Sequence, residues 1–312
     1  MITPELIVIT GPTATGKTLL GVKLAEALDS EVVSADSMQV YTHMDIGTAK
    51  PEKDEISNIP HHLISYISPF EDYSVARYVE DASNCIDKIL SCGKTPVIVG
   101  GSGLYIDSLL KGQKFSARGN DDLRRTLEDE YDSIGGEAML AKLQVFDEIS
   151  AKKLYPNDKK RIVRAIEAFI TTGKTISQHD LESRSQPPRY SALMVALTFY
   201  ERSVLYERID RRVDEMILKG FIKEVHSLLD MGVSRSSTAL QAIGYKEFSA
   251  AILGEIDMET AVGQVKMESR RYAKRQLTWL RRNNEINWIT WDKEPNFIAG
   301  VKVILEKLNE KK

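Results

Sequence analysis

The chain has only two cysteines in 312 residues, which leaves neither a disulfide framework nor a zinc pattern. Cys85 and Cys92 sit seven apart in what reads as one helix, where packing is the expected role for both. Long apolar runs are also missing. The longest beyond the start, ALMVAL at residues 192–197, is far shorter than the roughly 20 residues that a bilayer span requires. The opening MITPELIVIT has neither the basic flank nor the apolar core of a signal peptide, so a cytoplasmic protein without membrane partners is expected. Nor does one sign of charge dominate. The 42 Lys and Arg against 45 Asp and Glu give a formal charge of −3, which argues against nucleic-acid binding through overall charge but permits local basic surfaces. With 10 prolines, 42% hydrophobic residues, no repeat and no low-complexity tract, disordered and fibrous classes are excluded.

What is present is an α/β pattern. Residues 5–10 form a short apolar run into Thr10-Gly11, followed by a Gly-rich loop and a helical pattern through Leu28. A second strand, Glu31 to Ser34, leads to Asp36. A helix from about Ser74 to Cys92 has a serine at its start and Gly93 beyond its end, and the strand Pro96 to Val99 runs into Gly100-Gly101. Strands alternating with helices imply right-handed crossovers and a mostly parallel sheet flanked by helices. Residues 115–190 read as a helical insertion. The core is then 1–114 with 191–312, where Tyr190 to Phe199 and Asn287 to Trp291 supply further strands among helices.

Gly11-Pro12-Thr13-Ala14-Thr15-Gly16-Lys17-Thr18 matches the phosphate-binding P-loop in full, with a strand before it and a helix after it. Successive backbone N–H groups and the helix N-terminus surround phosphate oxygens, Lys17 adds charge, and the Thr18 hydroxyl can ligate Mg²⁺. A kinase or ATPase would normally place an acid at a second strand end. Here Val97-Ile98-Val99 ends in Gly100-Gly101-Ser102 instead. Asp36 is the one acid beyond a strand near the loop, where it could serve a metal or act as a base.

Leu205, Ile209, Val213, Met216 and Ile217 form a helical stripe, and at about 100° per residue Arg212 falls beside it, with Arg208 one turn earlier. Arg212 either lays its stem on the core with its head in water or aims a partly desolvated guanidinium at phosphates. If Gln264 to Arg282 is one helix, Arg270, Arg271, Lys274, Arg275, Arg281 and Arg282 share an arc of about 140°, away from Val265, Tyr272, Trp279 and Leu280. Such a face is either solvated surface or, given its single sign, a phosphate-backbone contact. Lys159-Lys160-Arg161 with Arg164 forms a second basic cluster in the insertion.

Beyond the P-loop, the segments SADSMQVYTHMDIGTAKP (34–51), GGSGLY (100–105), YPNDKKRIVRA (155–165), RIDRRVDEM (208–216), QAIGYKE (241–247) and RRYAKRQLTWLRR (270–282) resemble the tRNA dimethylallyltransferases over nearly the whole chain. That resemblance implies a P-loop NTPase-like core and transfer of a dimethylallyl group from its diphosphate to N6 of the adenosine 3′ of the anticodon, position 37. It implies Asp36 as the base, Lys17, the loop Gly11 to Thr18 and Arg212 as diphosphate ligands, and Mg²⁺ at Thr18. It further assigns tRNA contacts to Asp36, Ser37, Met38, Gln39, Ser102, Arg124, the segment Lys160, Arg161, Ile162, Val163, Arg164, the segment Gln241, Ala242, Ile243, Gly244, Tyr245, Lys246, and Arg270, Lys274 and Arg275. Where the family usually has Thr, this chain has Ser102, which keeps the hydroxyl. The chain ends without the Cys/His pair of a zinc finger and so resembles the bacterial form, expected to act as a monomer on the tRNA anticodon stem-loop. Rival readings are a transferase acting on free adenylate, which would need no basic helix, an ATP-dependent small-molecule kinase, and a nucleotide-switched RNA-binding protein in which Asp36 is structural.

Overall fold

A computed structural model describes residues 4–56, 58–113, 120–185 and 187–310. The chain divides into two units, residues 1–112 with 189–312, and residues 113–188. The expected first boundary, between residues 114 and 115, lies outside the described residues.

The larger unit opens with β1 (Leu6–Thr10), α1 (Lys17–Ala27), β2 (Val32–Ser34), α2 (Lys53–Ile56), β3 (His61–His62), α3 (Val75–Ser91), β4 (Val97–Val99) and α4 (Gly103–Lys111). The smaller unit is wholly helical, with α5 (Asp121–Ile134), α6 (Gly136–Gln144), α7 (Glu148–Ala151), α8 (Lys159–Thr172) and α9 (Ile176–Ser185). Its core gathers Leu127, Met139, Leu143, Ile162, Val163 and Ile166. The chain returns to the larger unit with β5 (Ala192–Phe199), α10 (Arg202–Leu218), α11 (Phe221–Asp230), α12 (Tyr245–Ile252), α13 (Met258–Leu280), β6 (Asn287–Trp291) and α14 (Phe297–Glu310).

The six strands form one sheet in the order β3-β2-β4-β1-β5-β6, and every pairing is parallel. Leu6, Ile7, Val8 and Ile9 are fully buried, as are Leu193, Val195, Ala196 and Leu197 of β5, so the central strands are apolar on both faces. This is the expected α/β class. Because β2 and β4 lie on one side of β1 and β5 on the other, the carboxyl end of β1 is the crevice where open parallel sheets bind ligands. The loop at 11–18, Asp36 and Gly100 to Ser102 all follow strands that end there.

Several expectations shift in detail. The two-residue β3 was too short to leave an apolar pattern. Ser74 does cap α3, accepting the N–H of Arg77, but Cys92 is exposed at the far end, whereas Cys85 is half-buried. Helix α13 begins six residues before the expected Gln264, because Asp257 caps it by accepting the N–H of Thr260 at 2.8 Å.

Candidate active site

The P-loop is held from behind by side chains from distant parts of the larger unit. Its backbone reaches positive φ at Gly11 (141°), Ala14 (65°) and Gly16 (84°) before α1 starts at Lys17. A Cβ on Gly11 would lie 2.6 Å from the Leu197 carbonyl, so β5 passes too close for any other residue. The loop carbonyls are tied down. Trp291 Nε1 donates to Thr15 O at 3.1 Å, Arg208 Nε to Ala14 O at 3.3 Å, and Thr15 Oγ1 to Pro12 O at 2.8 Å. Carbonyls fixed outward leave the N–H groups at the α1 N-terminus for an anion. Arg208 also pairs with Glu294 at 2.6 Å, so it braces the loop, unlike Arg212.

The two central cations are positioned for a negatively charged ligand. Burial first, and then Arg212, lower Lys17 from the usual 10.5 to about 7, with Asp36 opposing the shift. Arg212 is likewise lowered by burial and raised by Asp36. Asp36 is the carboxylate that acts on both of these desolvated cations, Glu55 and Glu215 act on Arg212 from further off, and a diphosphate beside the N–H donors would offset the charge directly. Lys17 meanwhile donates to the Pro12 carbonyl at 2.8 Å.

Asp36 stands two residues beyond β2. One of its oxygens accepts the N–H of Met38 at 2.9 Å and of Gln39 at 3.4 Å, which fixes the carboxyl in a local turn. Ser102 Oγ accepts the N–H of Ser37 at 3.1 Å, joining the β4 and β2 ends. The glycines at the β4 end have a packing reason. A Cβ on Gly100 would sit 2.1 Å from the Ala35 carbonyl, and one on Gly101 would sit 2.2 Å from Gln276 Nε2. The acid of other P-loop proteins has no space here.

A cavity of about 350 Å³ opens beside these groups. Thr13, Asp36, Ser37, Arg212 and Arg275 give it a polar side, while Met38, Ile209, Val213, Met216, Phe221 and Val265 are its apolar lining. Gln241, Ala242, Ile243 and Tyr245 also line it. An anion cradle, a carboxylate and an apolar chamber therefore share one space. Such a site can hold a diphosphate ester with a small hydrocarbon tail and take a proton from a second substrate.

Other expected contacts are placed differently. The Gln39 amide donates to the Thr48 and Ala49 carbonyls, at 3.3 Å each, and its carbonyl accepts from Ser34 Oγ, so it is a strut within the protein. Arg270 is ion-paired with Asp210 of α10, and Arg271 with Glu268 at 2.6 Å, so the basic face of α13 is neutralised in its first half. Lys274 and Arg275 line a groove with Arg271, Trp279 and Arg282. Gly244 and Tyr245 are buried while Lys246 is exposed.

In the smaller unit, Ile162 and Val163 are core residues with 0% and 1% exposure, so of the expected tRNA contacts in this segment their side chains are the ones turned inward. Lys160 and Arg161 are exposed. Arg124 and Arg164 both bind the fully buried carboxylate of Glu167, each at 3.0 Å, which gives them a structural role beside any phosphate contact.

Three residues of this site were not singled out from the sequence. Gln276 accepts the N–H of Thr13 at 3.0 Å and donates to the Gly101 carbonyl at 3.0 Å. Tyr272 reaches the same carbonyl at 3.5 Å, and burial with Asp36 nearby pushes its hydroxyl up to about 12. Trp291 is the third. A signal existed for Gln276, a polar residue in the apolar stripe of Ala273, Leu277 and Leu280.

The fold and site define a P-loop protein with tightly packed glycines, in place of an acid, at the end of β4. The model of the IPP transferase family matches residues 39–283, and that of isopentenyl transferase matches residues 4–67. A tRNA dimethylallyltransferase of Acetivibrio thermocellus is 44% identical over 96% of this chain and 97% of its own, and one of a Thermoanaerobacter species is 42% identical over 97% of each. Among solved structures, the tRNA isopentenylpyrophosphate transferase of Bacillus halodurans superposes with a TM-score of 0.73 at 40% identity, over 98% of this chain and 97% of that one. A eukaryotic dimethylallyltransferase acting on tRNA gives 0.75 at 28% identity, over 91% and 73%. The chain belongs to the IPP transferase family.

Proposed function

We propose that this protein transfers the dimethylallyl group of dimethylallyl diphosphate to N6 of the adenosine at tRNA position 37, 3′ of the anticodon, and releases diphosphate. The observation that carries this is that Asp36 and Arg212 line one cavity with the P-loop residue Thr13. The adenine amine is a weak nucleophile because its lone pair is delocalised into the ring. As the bond from N6 to the allylic carbon forms, Asp36 takes the amine proton, and the bond from that carbon to the diphosphate oxygen breaks with its electron pair on oxygen. Lys17, the loop N–H groups and Arg212 receive the growing negative charge. The apolar walls hold the five-carbon chain and keep water from the carbon as it becomes cationic.

Thr18, half-buried in the first turn of α1, would hold Mg²⁺. Among the described residues no cluster of three or more His, Cys, Asp or Glu could bind a metal, which suits an ion ligated mostly by diphosphate oxygens and water. Bound there, it would neutralise part of the leaving group's charge.

The target base lies in an RNA loop and must leave its stack to reach Asp36. Ser37, Met38, Ser102 and the Gln241 to Lys246 segment are the contacts proposed nearest that base, with Lys160, Arg161, Lys274 and Arg275 on the phosphate backbone. Among the described residues no helix is long and apolar enough to cross a membrane. The substrate puts the enzyme in the cytoplasm, and it is proposed to act as a monomer.

The test is incubation with labelled dimethylallyl diphosphate and, in separate reactions, tRNA lacking the modification, AMP, or ATP plus small metabolites. Label on tRNA is expected. Label on AMP alone, or phosphoryl transfer without prenylation, would overturn the proposal.

A further inference from the structure

Glu224 on α11 has no part in the chemistry above, yet it gathers four donors. Its Oε2 accepts the backbone N–H groups of Asp45 and Ile46 at 2.8 Å each, and Oε1 accepts those of Gly47 at 3.0 Å and the Tyr245 hydroxyl at 2.6 Å. Three successive N–H groups turned to one side form an anion-binding concavity. Here a carboxylate from the same chain fills it.

The turn that presents those N–H groups is closed in its own right. Thr48 Oγ1 donates to the Met44 carbonyl at 2.6 Å, and Ala49 N–H to the Ile46 carbonyl at 2.9 Å. Lys50 pairs with Asp45 at 2.7 Å. Phe221, one turn before Glu224, wedges beneath: a Cβ on Gly47 would lie 2.1 Å from its ring, and one on Gly244 2.6 Å. The 44–50 turn, α11 and the start of α12 thus meet without spare room. From the same turn the carbonyls of Thr48 and Ala49 hold the Gln39 amide, three residues from Asp36. Gly47, Thr48, Phe221 and Tyr245 all line the cavity.

Resting on the proposed prenyl transfer, we infer that Glu224 is a positioning residue: its clamp on residues 45–47 fixes the cavity wall of Gly47, Thr48, Phe221 and Tyr245, and thereby limits the length of the prenyl donor. A carboxylate is required because all four partners are donors. Glutamine has nearly the same shape but turns an NH₂ toward two of them, and a rigid wall becomes a yielding one.

The experiment compares the unmodified protein with Glu224→Gln and Glu224→Asp, measuring kcat and KM for dimethylallyl diphosphate at saturating tRNA. It also measures the ratio of kcat/KM for dimethylallyl over geranyl diphosphate, and the melting curve. Loss of hydrogen bonds to a charged group predicts that Glu224→Gln loses roughly 10- to 100-fold in kcat/KM for dimethylallyl diphosphate. The donor ratio falls with it, and Glu224→Asp, which keeps the charge, recovers part of both. Mere loss of folded protein would lower kcat and leave KM and the donor ratio unmoved, and that result overturns the inference. So does a Glu224→Gln protein within twofold of the unmodified one in all three values. If Glu224→Gln does not fold, Tyr245→Phe, which removes a single donor, is read by the same ratio, and an unchanged ratio is again negative. Failure of the unmodified protein to prenylate tRNA would sink the proposed function, whereas an active unmodified protein with unchanged variants would sink only the clamp.

Discussion

The backbone N–H of Thr13 is held at 3.0 Å by the side-chain carbonyl of Gln276, 263 residues further along the chain. The other end of that amide donates to Gly101 at 3.0 Å, so one side chain sets the spacing between the phosphate loop and the β4 end. Replacement by the near-isosteric Leu would leave the part-buried Thr13 N–H without this partner and the Gly101 carbonyl with only the long contact from Tyr272. Gln276→Leu should lower stability to urea by about 1–3 kcal/mol and raise KM for the prenyl diphosphate. Both a normal urea midpoint and a normal KM would show the bridge to be dispensable.

Asp36→Ala should reduce kcat by roughly 10²- to 10⁴-fold, the usual range for a lost general base, while tRNA affinity changes much less. Single-turnover kinetics beside filter binding separates the two effects. Near-normal turnover would return Asp36 to a structural role.

Burial and Arg212 hold Lys17 at about 7 in the folded protein against the usual 10.5. Between those values the unfolded chain carries the extra proton, so stability contributed at this position rises with pH across that window and is lowest below about 7. Lys17→Met removes the buried charge. The ligand-free variant should therefore melt above the unmodified protein near pH 6, with the difference shrinking toward pH 10. A constant difference across that range would contradict the placement of Lys17.

On the basic face of α13, Lys274 and Arg275 line the groove whereas Arg270 is ion-paired with Asp210. Neutralising Lys274 and Arg275 together should weaken tRNA binding and flatten the dependence of log K on log salt by roughly one to two units. Arg270→Gln should move the slope less. Equal slopes for all variants would mark the face as solvated surface.

Much of this was legible along the chain. The apolar strands and the P-loop could be read because each is a local pattern, and Asp36 because it follows a strand. Local patterns miss contacts between distant segments, which is why Gln276, Trp291 and Glu224 gave little sign of their roles. They also blur faces: Lys160, Arg161, Ile162 and Val163 are adjacent in sequence, yet the first two point to solvent and the last two into the core. The face of α13 is not uniform, because Arg270 pairs with Asp210 on another helix, which periodicity cannot show, and Arg271 pairs with Glu268 on α13 itself.

Trp291 comes 276 residues after Thr15 yet holds its carbonyl, and the Phe297 ring closes on Gly16. During synthesis the loop would leave the ribosome long before the residues that seat it. A nascent chain could form β1 and α1 early and still present a slack cradle, so the capacity to bind a donor arrives only once Trp291 and Phe297 have been made and folded back.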